Sequence, residues 1–357
     1  MKNKIYSINK NKYFYVSYIM FSFAIGFVTK ISLDKFLDSK YFYDTIKIMS
    51  LITKNTVIDD KGFDFSKKFF SILNLPLEYW NITIFLITFL IFLVSLLKLP
   101  PNFNNRVFYV ILPMWIFIFN IYNNTVSKET IQFFVTWVIA FILCIEKRLL
   151  FINFYLGTIL VYFSINFRVY LVLHLIVFYA LQFIFLKKSN IKSKLLIIFI
   201  MVVIASVFLE IRKPDLISSV LNARIGVNQY RANDPDANTI INDIFNNKNN
   251  SIIIYSMNSF INVFRFLIPL ELLRMHSIKY LVFILYQLII TFLVIRNVIE
   301  YKNLDKRTNL ILFMTIAIFL VQVIFEPDFG SYLKHQTAYI PFLYLSIFRK
   351  GYVANKI

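Results

Sequence analysis

The sequence predicts an all-α polytopic integral membrane protein with about ten transmembrane helices, ten or eleven in all. Three observations carry this. Of 357 residues, 59% are hydrophobic and only 16% charged, too little polar surface for a soluble globule of that length. Separate apolar runs of 16 to 21 residues recur along the chain, close to the roughly 20 that a helix needs to cross a bilayer's hydrocarbon core. Lysine and arginine gather in short segments between those runs.

Taken in order, the runs place spans at 13–33, 79–98, 107–122, 130–146, 149–166, 169–187, 195–211, 279–296, 309–325 and 337–349. The basic N-terminus, MKNKIYSINKNK, precedes an apolar run too long for a signal peptide and lacking a small-residue cleavage site, so it reads as an uncleaved first span. Residues 252–275 are apolar but interrupted by Arg265, Pro269, Glu271 and Arg274. They read as an amphipathic segment, interfacial or re-entrant, rather than as an eleventh span. The chain is thus one polytopic domain over 1–357, with a first extracytoplasmic loop at 34–78 and a large one at 212–278. Cys144, the only cysteine, lies mid-span and excludes an intrachain disulfide.

The net charge of +19 raises nucleic acid as a partner, and its distribution argues against it. With the N-terminus inside, the short inner loops and tails hold nineteen of the 38 basic residues against Glu146, Glu300 and Asp305, a net of +16. The longer outer loops net about +3. Such clustering is the positive-inside signature. It predicts a multi-pass protein of the bacterial inner membrane with both termini cytoplasmic.

In that topology the unusual polar clusters fall on the outer side. Asp34, Asp38 and Asp44, interleaved with Tyr41 and Tyr43, suit a sugar: carboxylates accept from hydroxyls and rings stack on pyranose faces. They equally suit an amphipathic helix carrying a Lys40–Asp44 pair. In NNTVSKET (123–130), Ser127 or Thr125 would cap the fourth span and Glu129 would favour its dipole. Lys128 is disfavoured there without an anion, and lysine at a helix N-terminus makes a phosphate seat. Arg168, between the fifth and sixth spans, requires a wet cavity or the interface.

Arg212, Arg224 and Arg231 stand in the loop 211–238 with Asp234 and Asp236, and Arg265 and Arg274 follow. Guanidinium groups recognise phosphate oxygens in a planar fork. In EPDFGSYLKHQ (326–336), Pro327 ends a span and Gly330 permits a turn. Ser331, Lys334 and His335 then share one face of the next helix, close to its start, where cations call for a bound anion. No Gly-rich phosphate loop, HExxH, Cys/His metal spacing or GxSxG is present, so neither metal nor nucleotide cofactor is expected.

The segments LDSKYFYDTIKI, SKE at 127–129 and EPDFGSYLKH at 326–335 resemble motifs of the Wzy/EpsG-like oligosaccharide repeat-unit polymerases of bacterial surface polysaccharides. More distantly the chain is similar to GT-C-type glycosyltransferases that use lipid-linked sugars. Lys334 stands where that pattern has arginine. The resemblance implies a GT-C-like fold and transfer of a glycan from undecaprenyl pyrophosphate onto a second lipid-linked repeat unit, at the outer face of the membrane. It implies a flippase and a chain-length regulator as partners beside the membrane lipids. The pyrophosphate would take cations from Lys128, Arg168, Arg224, Arg231, Arg265, Lys334 and His335. The acceptor hydroxyl would lose its proton to Glu129, Asp328 or Asp38. A flippase or exporter without chemistry is the alternative, and it would want polar groups distributed along span interiors.

Overall fold

The computed structural model describes residues 2–56, 58–98, 106–146, 148–186, 193, 239–245 and 251–349. The expected seventh span at 195–211 lies outside the described residues, as do Arg212, Arg224, Arg231, Asp234 and Asp236 and the side chains of Asp34 and Lys40. Among the described residues the chain is helical. The elements are α1 (Lys2–Phe36), α2 (Tyr43–Lys54), α3 (Lys61–Ser71), α4 (Leu77–Lys98), α5 (Arg106–Tyr122), α6 (Lys128–Ile145), α7 (Leu149–Asn166) and α8 (Leu171–Leu186). After the undescribed stretch come α9 (Ile252–Leu267), α10 (Ile278–Ile299), α11 (Lys306–Phe325), α12 (Phe329–Thr337) and α13 (Ile340–Phe348).

Six of these helices are long and apolar enough to cross a membrane: α1, α4, α6, α7, α10 and α11. α5, α8 and α9 are apolar but shorter. The protein is therefore a helical membrane protein. The expected tenth span at 337–349 does not form as one helix. The chain breaks at Ala338–Tyr339, and α13 has nine residues, about 14 Å of rise against a hydrocarbon core of about 30 Å. Every residue of α13 is buried, as a helix that is apolar on all sides must be.

The chain divides into two compact units. Unit 1 comprises Met1–Val172, Leu304–Ile311 and Gln336–Ile357; unit 2 comprises Leu173–Asn303 and Leu312–His335.

In unit 1, α5 packs on α1, and α6 packs on α3, α7 and α13. Gly26 sets the α1–α5 approach, because a Cβ there would lie 2.6 Å from Ile116 Cγ2. Small residues let membrane helices come this close. Asn120 Nδ2 donates to the Gly26 carbonyl at 2.7 Å and to Thr29 Oγ1 at 3.1 Å. The aromatic core joins Phe108 and Trp115 of α5 to Phe348 of α13, with ring centroids 5.2 and 5.8 Å apart. Phe119 and Phe133 meet edge to face at 4.6 Å, a favoured arrangement.

The first loop is not irregular. It folds into α2 and α3, and Thr45 of α2 meets Thr125 hydroxyl to hydroxyl at 3.0 Å. Asp60 caps α3, accepting from Phe63 N–H at 3.0 Å.

In unit 2, Ile241, Phe266, Leu272, Ile284, Val323, Phe329 and Tyr332 form the core. The segment 252–275 is α9, a break at Ile268–Pro269, and a 3-10 turn over Leu270–Met275. Two backbone bonds tie Thr239–Ile241 to Pro327–Phe329, at 3.0 and 3.1 Å. Tyr255 OH donates to the Ile324 carbonyl at 2.6 Å.

Candidate functional site

Two of the residue sets singled out in the sequence acquire geometry, one in each unit. The set in unit 1 is built on the first turns of α6. Ser127 caps that helix, its Oγ accepting from Thr130 N–H at 3.2 Å, which fixes Lys128 and Glu129 in the first turn. Arg168, in the turn after α7, donates from Nη2 to Glu129 Oε1 at 2.7 Å. Its Nη1 donates to Gln132 Oε1 and to Tyr170 OH at 2.9 Å. Glu129 is fully buried, and the Arg168 side chain is 9% exposed.

Those contacts engage three of the five guanidinium N–H groups; Nε–H and one Nη2–H are left over among the described residues. Burial opposes the charge on Arg168, but Tyr170 and Glu129 outweigh it and hold the guanidinium above its ordinary pKa. The group is a permanent cation in a nearly closed setting.

Further contacts hold α6 in place. Gln132 Nε2 donates to Tyr339 OH, Thr136 Oγ1 donates to the Ala338 carbonyl, and Thr337 Oγ1 donates to Asn123 Oδ1. The break between α12 and α13 therefore serves to present Thr337, Ala338 and Tyr339 to this helix. Asn123 Nδ2 in turn donates to the Glu129 carbonyl at 3.3 Å.

Lys128 Nζ lies 3.7 Å from the centroid of the Phe63 ring on α3, and Lys47 Nζ lies 4.0 Å from the same centroid. Gly62 makes room, since a Cβ there would stand 3.2 Å from Lys128 Cδ. Asp44, buried on α2, Glu129 and Asp60 all act on the Lys128 ammonium. The anions that this lysine calls for are thus partly supplied by the protein. Asp38 precedes the 3-10 turn Ser39–Phe42 and is exposed.

The set in unit 2 centres on EPDFGSYLKH. Glu326 Oε1 meets His335 Nδ1, with the Glu326 side chain 6% and the His335 side chain 21% exposed. Asp328 Oδ1 accepts from Ser331 N–H at 2.7 Å as the start of α12 forms. Gly330 allows that approach: a Cβ there would lie 3.2 Å from Asp328 Oδ1. Lys334 and His335 sit in the last turn of α12, not the first turn of a span. The expected need for an anion at that point is removed, because a helix C-terminus welcomes cations.

Arg265 forms a two-pronged pair with Glu271, Nε to Oε1 at 3.0 Å and Nη2 to Oε2 at 2.6 Å. Its Nη1 donates to the Asn242 carbonyl and to Asn262 Oδ1. Four donors engaged this way make Arg265 a clamp on the 3-10 turn. Arg224 and Arg231 lie outside the described residues.

Sequence reasoning named Glu129 and Arg168 separately and did not pair them. It passed over Gln132, one turn beyond Glu129, and also Tyr170, Tyr339 and Glu326 as site residues. Gln132 had a legible signal, a polar residue in an otherwise apolar run at the spacing of Glu129's own face. Comparison of the chain with protein-family models, with curated proteins and with solved structures finds no match.

Proposed function

We propose that the chain is a membrane glycosyltransferase of the polysaccharide-polymerase type, with a GT-C-like fold, that joins lipid-linked oligosaccharide repeat units. The single observation that carries this reading is the buried Arg168, fixed by Glu129, Gln132 and Tyr170 with donors to spare, against the same first turn of α6 that carries Lys128 beside Glu129. Two cations at a helix N-terminus suit a pyrophosphate leaving group, and stabilising the departing charge is commonly the largest catalytic term.

In the reaction the acceptor hydroxyl oxygen attacks the anomeric carbon of the donor glycan. The bond from that carbon to the pyrophosphate oxygen breaks, and undecaprenyl pyrophosphate leaves with the electron pair. Arg168 and Lys128 take up the developing negative charge. The hydroxyl proton passes to a base. Three groups are candidates for that base: Glu129, which accepts from Arg168, Asp328, which accepts from the Ser331 N–H, and His335, whose Nδ1 meets Glu326. No metal or nucleotide is required by this scheme, and it belongs at the outer face of the bacterial inner membrane.

The flippase is the second reading. In unit 1 the buried polar groups Asn120, Asn123, Asn124, Thr125, Ser127, Glu129 and Gln132 gather at one end of α5 and α6, which favours a reaction site, whereas in unit 2 Gln287, Thr291, Asn297, Thr315 and Gln322 are buried along α10 and α11, as a flippase would want. The direct test is reconstitution. The purified chain in liposomes, given an undecaprenyl-pyrophosphate-linked repeat unit, should release undecaprenyl pyrophosphate as longer lipid-linked glycans form. Transbilayer movement of the substrate with no change in its length would favour the flippase.

A further inference from the structure

At the opposite end of α6 from Glu129, two guanidinium groups converge on one residue. Arg307 Nη1 donates to the Cys144 carbonyl at 2.8 Å. Arg349, which follows α13, brings its Nη1 to 3.8 Å from Cys144 Sγ. Both arginines are partly exposed, and all three residues belong to unit 1.

The local charges do not balance. The ion pairs among the described residues are Asp64–Lys68, Glu129–Arg168, Glu271–Arg265 and Glu326–His335, so no described carboxylate pairs with Arg307 or Arg349. Two acids lie near in sequence: Glu146, which follows α6 and accepts from the Arg148 N–H at 2.9 Å, and Asp305, which caps α11, its Oδ1 accepting from the Arg307 and Thr308 N–H groups at 2.8 and 2.9 Å and its Oδ2 from Thr308 Oγ1 at 2.8 Å. The C-terminus of α6 offers the equivalent of about half a negative charge, enough to favour one guanidinium and not two. Arg349 gains from Cys144 only a weak sulfur contact. Two like charges thus reach the same residue, Cys144, and each keeps donors free in the planar fork that matches a phosphate.

We propose that Arg307 and Arg349 form an anion site that takes a phosphate group, bridged between the two guanidiniums at the basic end of unit 1. A phosphodiester of an anionic phospholipid and a free phosphate share this chemistry. Basic pockets between membrane helices are suited to anionic headgroups. The site is separate from the Glu129–Arg168 set and stands whether or not the proposed reaction is correct.

The test uses the full chain in nanodiscs, with unfolding followed by a thiol-reactive fluorogenic dye at the single buried Cys144. Replacing phosphatidylcholine by phosphatidylglycerol should raise the unfolding midpoint by on the order of 3 °C, as a ligand that binds only the folded state does. The gain should vanish in the double variant Arg307→Gln with Arg349→Gln. Should that variant not fold, Arg349→Gln alone, which removes no backbone hydrogen bond, should at least halve the gain.

A second arm adds inorganic phosphate to phosphatidylcholine discs. A shift there that the variants abolish assigns the site to soluble phosphate, and a shift with phosphatidylglycerol alone assigns it to the lipid headgroup. No shift with either, or a shift that persists unchanged in the variants, overturns the proposal.

Discussion

Arg168 Nη2 lies 2.7 Å from Glu129 Oε1, joining the turn after α7 to the first turn of α6 through a pair that is almost wholly withdrawn from water. Removing one partner of such a pair leaves a buried charge uncompensated, a loss of about 3–5 kcal/mol. Arg168→Gln should therefore lower stability by that order. Adding Glu129→Gln to it should restore part of the loss, with a coupling of about 0.5–3 kcal/mol. Unfolding of the two single variants and the double, read by exposure of the Cys144 thiol, checks this. Strict additivity would mean that the two side chains do not interact.

A second prediction concerns the α1–α5 contact. Gly26→Ala puts a methyl 2.6 Å from Ile116 Cγ2, and overpacking of this kind typically costs about 1–3 kcal/mol. Ile116→Ala opens room opposite, so the double variant should be more stable than Gly26→Ala alone. Thermal unfolding of the three proteins decides it.

Arg265 is expected to act through structure. Its two-pronged pair with Glu271 needs a planar fork, which lysine lacks. Arg265→Lys should destabilise the protein nearly as much as Arg265→Gln, and any fall in polymer should track the fall in folded protein. Polymer lost at full protein level would instead return Arg265 to the substrate site.

The long spans were legible because length and hydropathy alone specify them. The run 79–98 appears as Leu77–Lys98, 149–166 as Leu149–Asn166, and 309–325 within Lys306–Phe325. The stretch 337–349 misled because a hydropathy reading cannot tell a spanning helix from a short one buried inside protein. Ala338 and Tyr339 break the helix, and nothing in their composition announces it. The helix α2 overlaps the stretch that the sequence offered as an amphipathic helix, whereas α3 was hidden for the opposite reason, being amphipathic and polar enough to pass as loop.

The site was legible residue by residue and not as pairs. Capping grammar found Ser127 and Glu129, and the expense of a buried guanidinium found Arg168. The bond between them spans 39 positions in sequence, which no local pattern encodes. Lys334 and His335 were correctly placed on one helix, but the position of their turn in that helix depended on where the helix stops.

His335 offers a functional split. If it is the base, His335→Gln should abolish glycosyl transfer while leaving binding of the lipid-linked substrate within a few-fold. Glu326→Gln should lower the rate less, by about 10–100-fold, in the range by which loss of an orienting partner weakens the group it holds. Single-turnover rates and substrate affinity, measured on the reconstituted protein, separate the two effects. Equal loss of binding and rate in both variants would assign the pair to structure.

The central claim is that Arg168 serves glycan polymerisation. Its most direct test is the length of the surface glycan in cells whose only copy carries Arg168→Ala, with the amount of folded protein in the membrane matched to wild type. Single repeat units are expected in place of long chains. Full-length polymer from that variant would contradict it.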